Sequence, residues 1–181
     1  MPDPILIEPY DSAWPIRFAD LARALRSELG SQAQRIDHVG STAVPGLAGK
    51  PVIDIQISVS ALDPVEAYAP GLARLGFAWR ADNPDLTKRY FREAPGRPRT
   101  HIHVRRTGSW PEQLNLLFRD FLRADAAPRL AYAVAKNELA RRFRDDRDAY
   151  QAAKGSTIWA ILQRADAWVQ DTGWEPGPSD A

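Results

Sequence analysis

The run VIDIQISV at residues 52–59 constrains this chain more than any other segment. Ile53, Ile55, Ile57 and Val59 fall on one face of an extended strand, and Val52, Asp54, Gln56 and Ser58 fall on the other. A strand with one apolar and one polar face lays the first on a core and turns the second toward solvent or a cleft. Asp54 is therefore a carboxylate aimed away from the core. The run THIHVRR at 100–106 alternates in the same way, with Ile102 and Val104 in the core phase and His101, His103 and Arg105 in the other. If the two strands join one sheet with their polar faces coincident, Asp54, His101 and His103 converge. Two imidazoles and a carboxylate suit a divalent metal, with imidazole favouring Zn, Mn, Fe or Ni over Mg. The same histidines also suit an anionic ligand, to which they donate hydrogen bonds or protons.

The rest of the chain supplies a frame for such a sheet. Asp11-Ser12 and Trp14-Pro15 open a helix over 12–29, with Phe18, Leu21, Ala22, Leu25 and Leu29 at helical spacing before Gly30. A sheet core is expected over 34–106, from strands at 34–39, 52–59, 77–81, 88–93 and 100–106 and a helix at 64–75 that opens on the Asp63 to Glu66 capping box. A second capping box, Ser109 to Glu112, opens a helix over 110–124. Pro128 opens another to about 144, and a last helix covers 157–171 before Gly173 and a tail that reads as frayed. One helix, then strands, then three consecutive helices make an α+β order in which the C-terminal helices at 110–171 cover one side or end of a mixed sheet.

Composition narrows the function classes. The chain has 181 residues, 44% of them hydrophobic, and 24 Lys+Arg against 23 Asp+Glu, which fits one domain over 1–181 and excludes a disordered or strongly basic chain. With near-zero net charge and no aromatic-basic stripe, no nucleic-acid partner is expected. There is no cysteine, so a metal would rest on His, Asp, Glu or backbone groups. The N-terminal segment lacks a basic region, and no apolar run approaches membrane-spanning length, so a soluble cytoplasmic protein without a membrane partner is expected.

Several further residues carry chemistry. Gly40-Ser41, a strand end running into a turn, offers free backbone N–H groups and a hydroxyl to a phosphate, and a glycine lets the phosphate oxygens approach. Lys50, one of only four lysines against twenty arginines, stands at the mouth of the strand holding Asp54 and can neutralise a triphosphate. In KRYFRE, Arg89, Tyr90 and Arg92 are candidates for phosphate or base contact, with Phe91 in the core. His38 precedes the Gly40-Ser41 turn and is expected to act on nucleotide affinity. Arg119 and Asp120 read as a core-facing salt bridge. Lys136 shares a helix face with Tyr132 and is expected in an ion pair, and Lys154 follows Tyr150 by four positions with no role assigned.

The stretch HVGSTAVPGLAGKPVIDI resembles the signature of the GrpB family, the UPF0157-type small proteins also found fused to dephospho-CoA kinase in some bacteria. The resemblance continues through YDSAWPIRFADL, KRYFR, THIHV, LLFRDFLRAD, AYAVAKNELARRF and DRDAYQAAK, over residues from about 9 to 163. That family is similar to the DNA-polymerase-β-like nucleotidyltransferases. The resemblance implies a mixed sheet flanked by helices, a Gly-Ser turn leading into a helix, and carboxylates that hold magnesium. It matches Gly40-Ser41 to the Gly-Ser motif and Asp54 to the first carboxylate of an Asp-x-Asp/Glu pair. Gln56 stands at the second carboxylate and offers a carbonyl oxygen without charge. The strand of the third carboxylate corresponds to the one holding His101 and His103, and Glu93 is the nearby acid on the preceding strand. Joined to the strand reading above, this makes Asp54, His101 and His103 the expected catalytic set. The expected metal set adds Gln56, with Mg, Mn or Zn, and the phosphates of an NTP are expected on Gly40, Ser41, Lys50, Arg89 and Tyr90. The expected activity is transfer of a nucleotidyl group to an unknown acceptor. The alternative is a nucleotide- or partner-binding accessory module without transfer.

Overall fold

A computed structural model describes residues 4–181, so the first three positions of the domain expected over 1–181 lie outside the described residues. Five strands, β1 (Arg35–Val39), β2 (Ile53–Val59), β3 (Phe77–Trp79), β4 (Lys88–Glu93) and β5 (Thr100–Arg106), form one sheet in the order β1-β2-β5-β4-β3. β2 and β5 pair in parallel and every other neighbour is antiparallel, so the sheet is mixed. The parallel register sets Asp54 beside His101 and Gln56 beside His103.

The isoleucine face of the sheet is the main core. Ile55, Ile57, Ile102, Val104 and Phe91 pack beneath helix α1 (Ala13–Leu29), which contributes Trp14, Phe18, Ala22, Leu25 and Leu29, and beneath the short α2 (Ala69–Arg74). These side chains sit at the helical and two-residue spacings of the sequence, and their burial supplies the main drive for the sheet and α1 to close on each other. The opposite face is covered at one end by α3 (Trp110–Ala124), α4 (Ala126–Arg142) and α5 (Arg147–Thr172), whose own cluster joins Phe121, Leu122, Tyr132, Ile161 and Ala165 to Val44 and Leu47. Where α3 lies on β2, polar side chains are satisfied locally: Ser58 Oγ donates to Glu112 Oε1 at 2.6 Å, and both residues are fully buried. Arg119, only 3% exposed, pairs with Asp120 at 2.7 Å and Asp180 at 3.0 Å. That is the core-facing salt bridge the sequence suggested.

Several boundaries differ from expectation for identifiable reasons. The helix read at 64–75 is a 3-10 turn, Val65–Ala67, followed by the six-residue α2. Pro70 has no N–H to give a helix running through it and its ring clashes with the preceding turn, so the helix restarts beside it. α4 begins at Ala126, capped by Asp125, whose side chain accepts from Ala127 N at 2.8 Å, and Pro128 falls in its first turn. α5 begins at Arg147 rather than 157, capped by Asp146. Gly155 lies inside it, but a mid-helix glycine costs only about 1 kcal/mol, and packing of Tyr150 and Ile161 holds the helix through it. The tail is not frayed: Ser179 Oγ accepts from Ile36 N (2.8 Å) and donates to Ile36 O (3.0 Å), while Asp180 accepts from His38 N (2.9 Å). It covers the open edge of β1. Among the described residues, no helix is long and apolar enough to cross a membrane.

Candidate functional site

The polar face of the sheet is left open at one end, where α3 does not reach Asp54. There β2, β4 and β5 supply a cleft of about 380 Å³ whose floor holds Asp54, His101, His103 and Tyr90. His101 Nδ1 lies 3.1 Å and His103 Nε2 3.5 Å from Asp54 Oδ1, and one donor atom of each residue lies within 4.8 Å of the others. Burial works to raise the Asp54 carboxyl, yet hydrogen bonds from His101 and His103 and their nearby charge outweigh it and hold the group far below the usual carboxylate range. Burial lowers His103 from its ordinary value, only partly offset by its hydrogen bond to Asp54. A carboxylate beside two imidazoles is a donor set that a divalent ion can use. Tyr90 packs on this pair, its ring 5.2 Å from that of His103 and 5.6 Å from that of His101.

The chain turns from β1 toward this cleft at Gly40, which has φ +73°. A Cβ there would stand 2.6 Å from Asp54 Oδ2, so glycine is required by the carboxylate next to it as well as by the backbone. Ser41 follows, and its Oγ accepts from Lys136 Nζ at 2.9 Å. Lys136 also donates to Ala48 O and stands 4.6 Å from the Tyr132 ring centre. It makes no ion pair among the described residues, contrary to expectation, and burial, aided by Lys154, pushes its ammonium down to about 7.

All four lysines of the chain line this one cleft: Lys50, Lys88, Lys136 and Lys154. Lys50 sits 4.6 Å above the Tyr150 ring and is pushed down to about 8, chiefly by burial and then by Lys154. Burial also lowers Lys88 and Lys154. Among the described residues, only Lys88 has a carboxylate partner, Asp85 at 3.6 Å. Lys88 was not singled out in the sequence, although alternation sets it in phase with Tyr90, and the scarcity of lysine would have drawn attention to it.

Five sequence candidates lie elsewhere. Gln56 is fully buried with both ends of its amide engaged, Nε2 donating to Glu112 O at 3.2 Å and Oε1 accepting from Asn115 at 2.8 Å, so it stands outside the metal-type cluster. His38 pairs in register with Ile55 and therefore lies on the isoleucine face, its ring stacked 4.6 Å from Phe18 and its Nε2 3.0 Å from Thr42 Oγ1. Burial pushes it down to about 4, so it is a neutral packing residue rather than a phosphate group's neighbour. Arg89 shares the phase of Phe91 and binds Asp63 at 2.6 Å on that same face. Arg92 is spent on Glu93 at 2.9 Å, and Glu93 also accepts from Thr100 N at 3.1 Å, which removes Glu93 as a third carboxylate.

A family model described as GrpB protein matches residues 4–164. A UPF0157 protein of Pseudomonas aeruginosa is 41% identical, over 90% of this chain and 68% of its own length. A dephospho-CoA kinase of Mycolicibacterium paratuberculosis is 34% identical over 96% of this chain, which spans only 49% of that protein. Among solved structures, the conserved protein GrpB from Enterococcus faecalis superposes with a TM-score of 0.81 at 30% identity, covering 90% of this chain and 99% of that one. The Cid1 poly(U) polymerase shares the fold, with a TM-score of 0.52 at 15% identity over 75% of this chain and 43% of that one.

Proposed function

The chain belongs to the GrpB family and has a nucleotidyltransferase-like fold, and from that premise we propose that its cleft binds a nucleoside triphosphate with a divalent ion and transfers the nucleotidyl group to an acceptor. The observation that carries the reading is the gathering of all four lysines of the chain around its one cleft carboxylate. Buried ammonium groups without counter-ions are unfavourable, and a polyanion is the ligand that relieves them. A triphosphate does so with several charges in a small volume. Two fold relatives have been solved with nucleotides, Cid1 with a UTP analogue and a Trypanosoma brucei terminal uridylyl transferase with CTP.

Each group then has work suited to its chemistry. Lys50, Lys88 and Lys154 neutralise the phosphates, and Lys136 orients the Ser41 hydroxyl and the turn behind it toward them. A divalent ion held by Asp54, His101 and His103 would act as a Lewis acid on a phosphoryl oxygen. With two imidazoles and one carboxylate, the set favours Mn²⁺, Zn²⁺ or Ni²⁺ over Mg²⁺, which prefers hard oxygen ligands. The second reading, a nucleotide-binding accessory module, is favoured by one fact: Gln56 faces α3, leaving a single carboxylate at the cluster. Incubation with labelled ATP, UTP, CTP or GTP and Mn²⁺ or Mg²⁺ separates the two. A nucleotidylated product or release of pyrophosphate supports transfer, and saturable binding without either supports the module.

A further inference from the structure

The lysine cleft continues into a second lobe of about 440 Å³ that opens from the same Ser41, Asp54 and His103 and runs between α3 and α5. Lys88, Lys154 and Arg105 line it too, but the rest of its wall has a different chemistry. Leu114 and Phe118 of α3 and Ile158 and Leu162 of α5 line it, all half-buried, together with Tyr132 of α4. Apolar side chains left partly uncovered along a concave wall favour a flat apolar occupant.

On the α3 side of this wall one amide is held in a fixed orientation. Asn115 lines the lobe and donates through Nδ2 to Gln56 Oε1 at 2.8 Å, while Gln56, wholly buried, donates through Nε2 to the Glu112 carbonyl at 3.2 Å. That chain of amides leaves Asn115 Oδ1 as an acceptor, and it receives no hydrogen bond among the described residues. An aliphatic ligand has no use for such an acceptor, whereas a nitrogen heterocycle carries ring or exocyclic N–H groups on its edge.

We infer that this lobe seats the heterocyclic base of a nucleotide whose phosphates lie among the lysines, with the base edge held by Asn115 Oδ1. The inference rests on the nucleotide reading above. It follows from the two lobes sharing Ser41, Asp54 and His103, which suits one molecule with an anionic end and a ring end joined by a sugar. It also gives Gln56 a role where a second carboxylate was expected: Gln56 is a positioning residue that sets the direction of the Asn115 amide.

The test compares tripolyphosphate, which has no base, with ATP and UTP in calorimetric titrations of the full chain in the presence of Mn²⁺. Stacking of a base on apolar and aromatic walls strengthens binding, so at least one of the nucleotides should bind about tenfold or more tightly than tripolyphosphate. Leu114→Trp, which fills the lobe, and Asn115→Ala, which removes the acceptor, should each erase most of that advantage and leave tripolyphosphate affinity within about twofold. If Leu114→Trp also loses tripolyphosphate, Asn115→Ala decides alone. Nucleotides that bind no better than tripolyphosphate, or an advantage that survives in Asn115→Ala, overturn the base lobe and leave the phosphate reading standing. Absence of binding by all three probes overturns the nucleotide reading itself, and this inference with it.

Discussion

Lys136 and Gly40 tie the site to its surroundings most directly. Lys136 is buried, bonded to Ser41 and Ala48 and held near 7, and Lys50 is held near 8, both chiefly by burial. A bound anion favours the charged ammonium and raises both values, so binding takes up protons between the free and bound values. Tripolyphosphate affinity should therefore be greatest below about pH 7 and fall as pH rises through 7 and 8. Calorimetry at pH 7.5 in two buffers of different ionisation enthalpy should show net proton uptake; zero uptake would place the anion away from these lysines. Gly40→Ala adds a Cβ 2.6 Å from Asp54 Oδ2 at a φ of +73°. It should cost about 1–3 kcal/mol of stability through the positive-φ backbone alone and weaken Mn²⁺ binding by displacing the carboxylate. A titration with unchanged Mn²⁺ affinity would contradict the close packing of turn and carboxylate. At this scale, Asp54, His101 and His103 were legible because a strand alternates with a period of two. The same period, followed strictly, sets Arg89 in phase with Phe91 and away from the cleft. His38 was not legible, because its face is fixed by antiparallel register with Ile55, a pairing between residues 17 positions apart. Lys136 was misassigned for a related reason, since its partners are the Ser41 hydroxyl and a carbonyl, groups that no local pattern announces.

The elements that surround the site owe their limits to a few residues. β2 carries a polar face along its whole length, but α3 covers Gln56 and Ser58 and stops short of Asp54, so one strand face is part core and part cleft. Alternation reveals the face and not how far a later helix lies along it. Pro70 and Gly155 act oppositely: the first interrupts a helix expected over 64–75, and the second lies inside a helix that begins ten residues before the expected 157. Gly155 lies inside α5, exposed, and a Cβ there meets nothing within 4 Å. Gly155→Ala should thus stabilise the chain by roughly 0.5–1 kcal/mol, read as a rise in Tm, without changing ligand affinity. A fall in Tm would mean that α5 is not continuous through 155. The tail is an element without secondary structure, read as frayed because its composition is that of a loop, yet Ser179 and Asp180 satisfy the free edge of β1 and the buried Arg119.

Across the whole molecule, net charge conceals the arrangement that matters. The formal charge is only +1, yet the four lysines share one cleft while arginines such as Arg35, Arg74, Arg89 and Arg119 pair with acids outside it. Averaging over the sequence removes this segregation, which appears only when β2 and β5 pair in parallel and α4 and α5 fold back over the open end of the sheet. The same parallel pairing, between strands separated by helix α2 and two further strands, brings Asp54 beside His101. The central claim is that this cationic cleft and its Asp54 cluster act together on a polyphosphate with a divalent ion. It is tested most directly by titrating ATP into the chain and into Asp54→Ala with and without Mn²⁺. Asp54 has no place in the apolar core, so the variant should fold. In the unaltered chain Mn²⁺ should tighten ATP binding about tenfold or more, a gain of roughly 1.4 kcal/mol, and in Asp54→Ala that gain should vanish while metal-free binding to the lysines persists. Equal Mn²⁺ enhancement in both proteins, or no ATP binding to either, would contradict it.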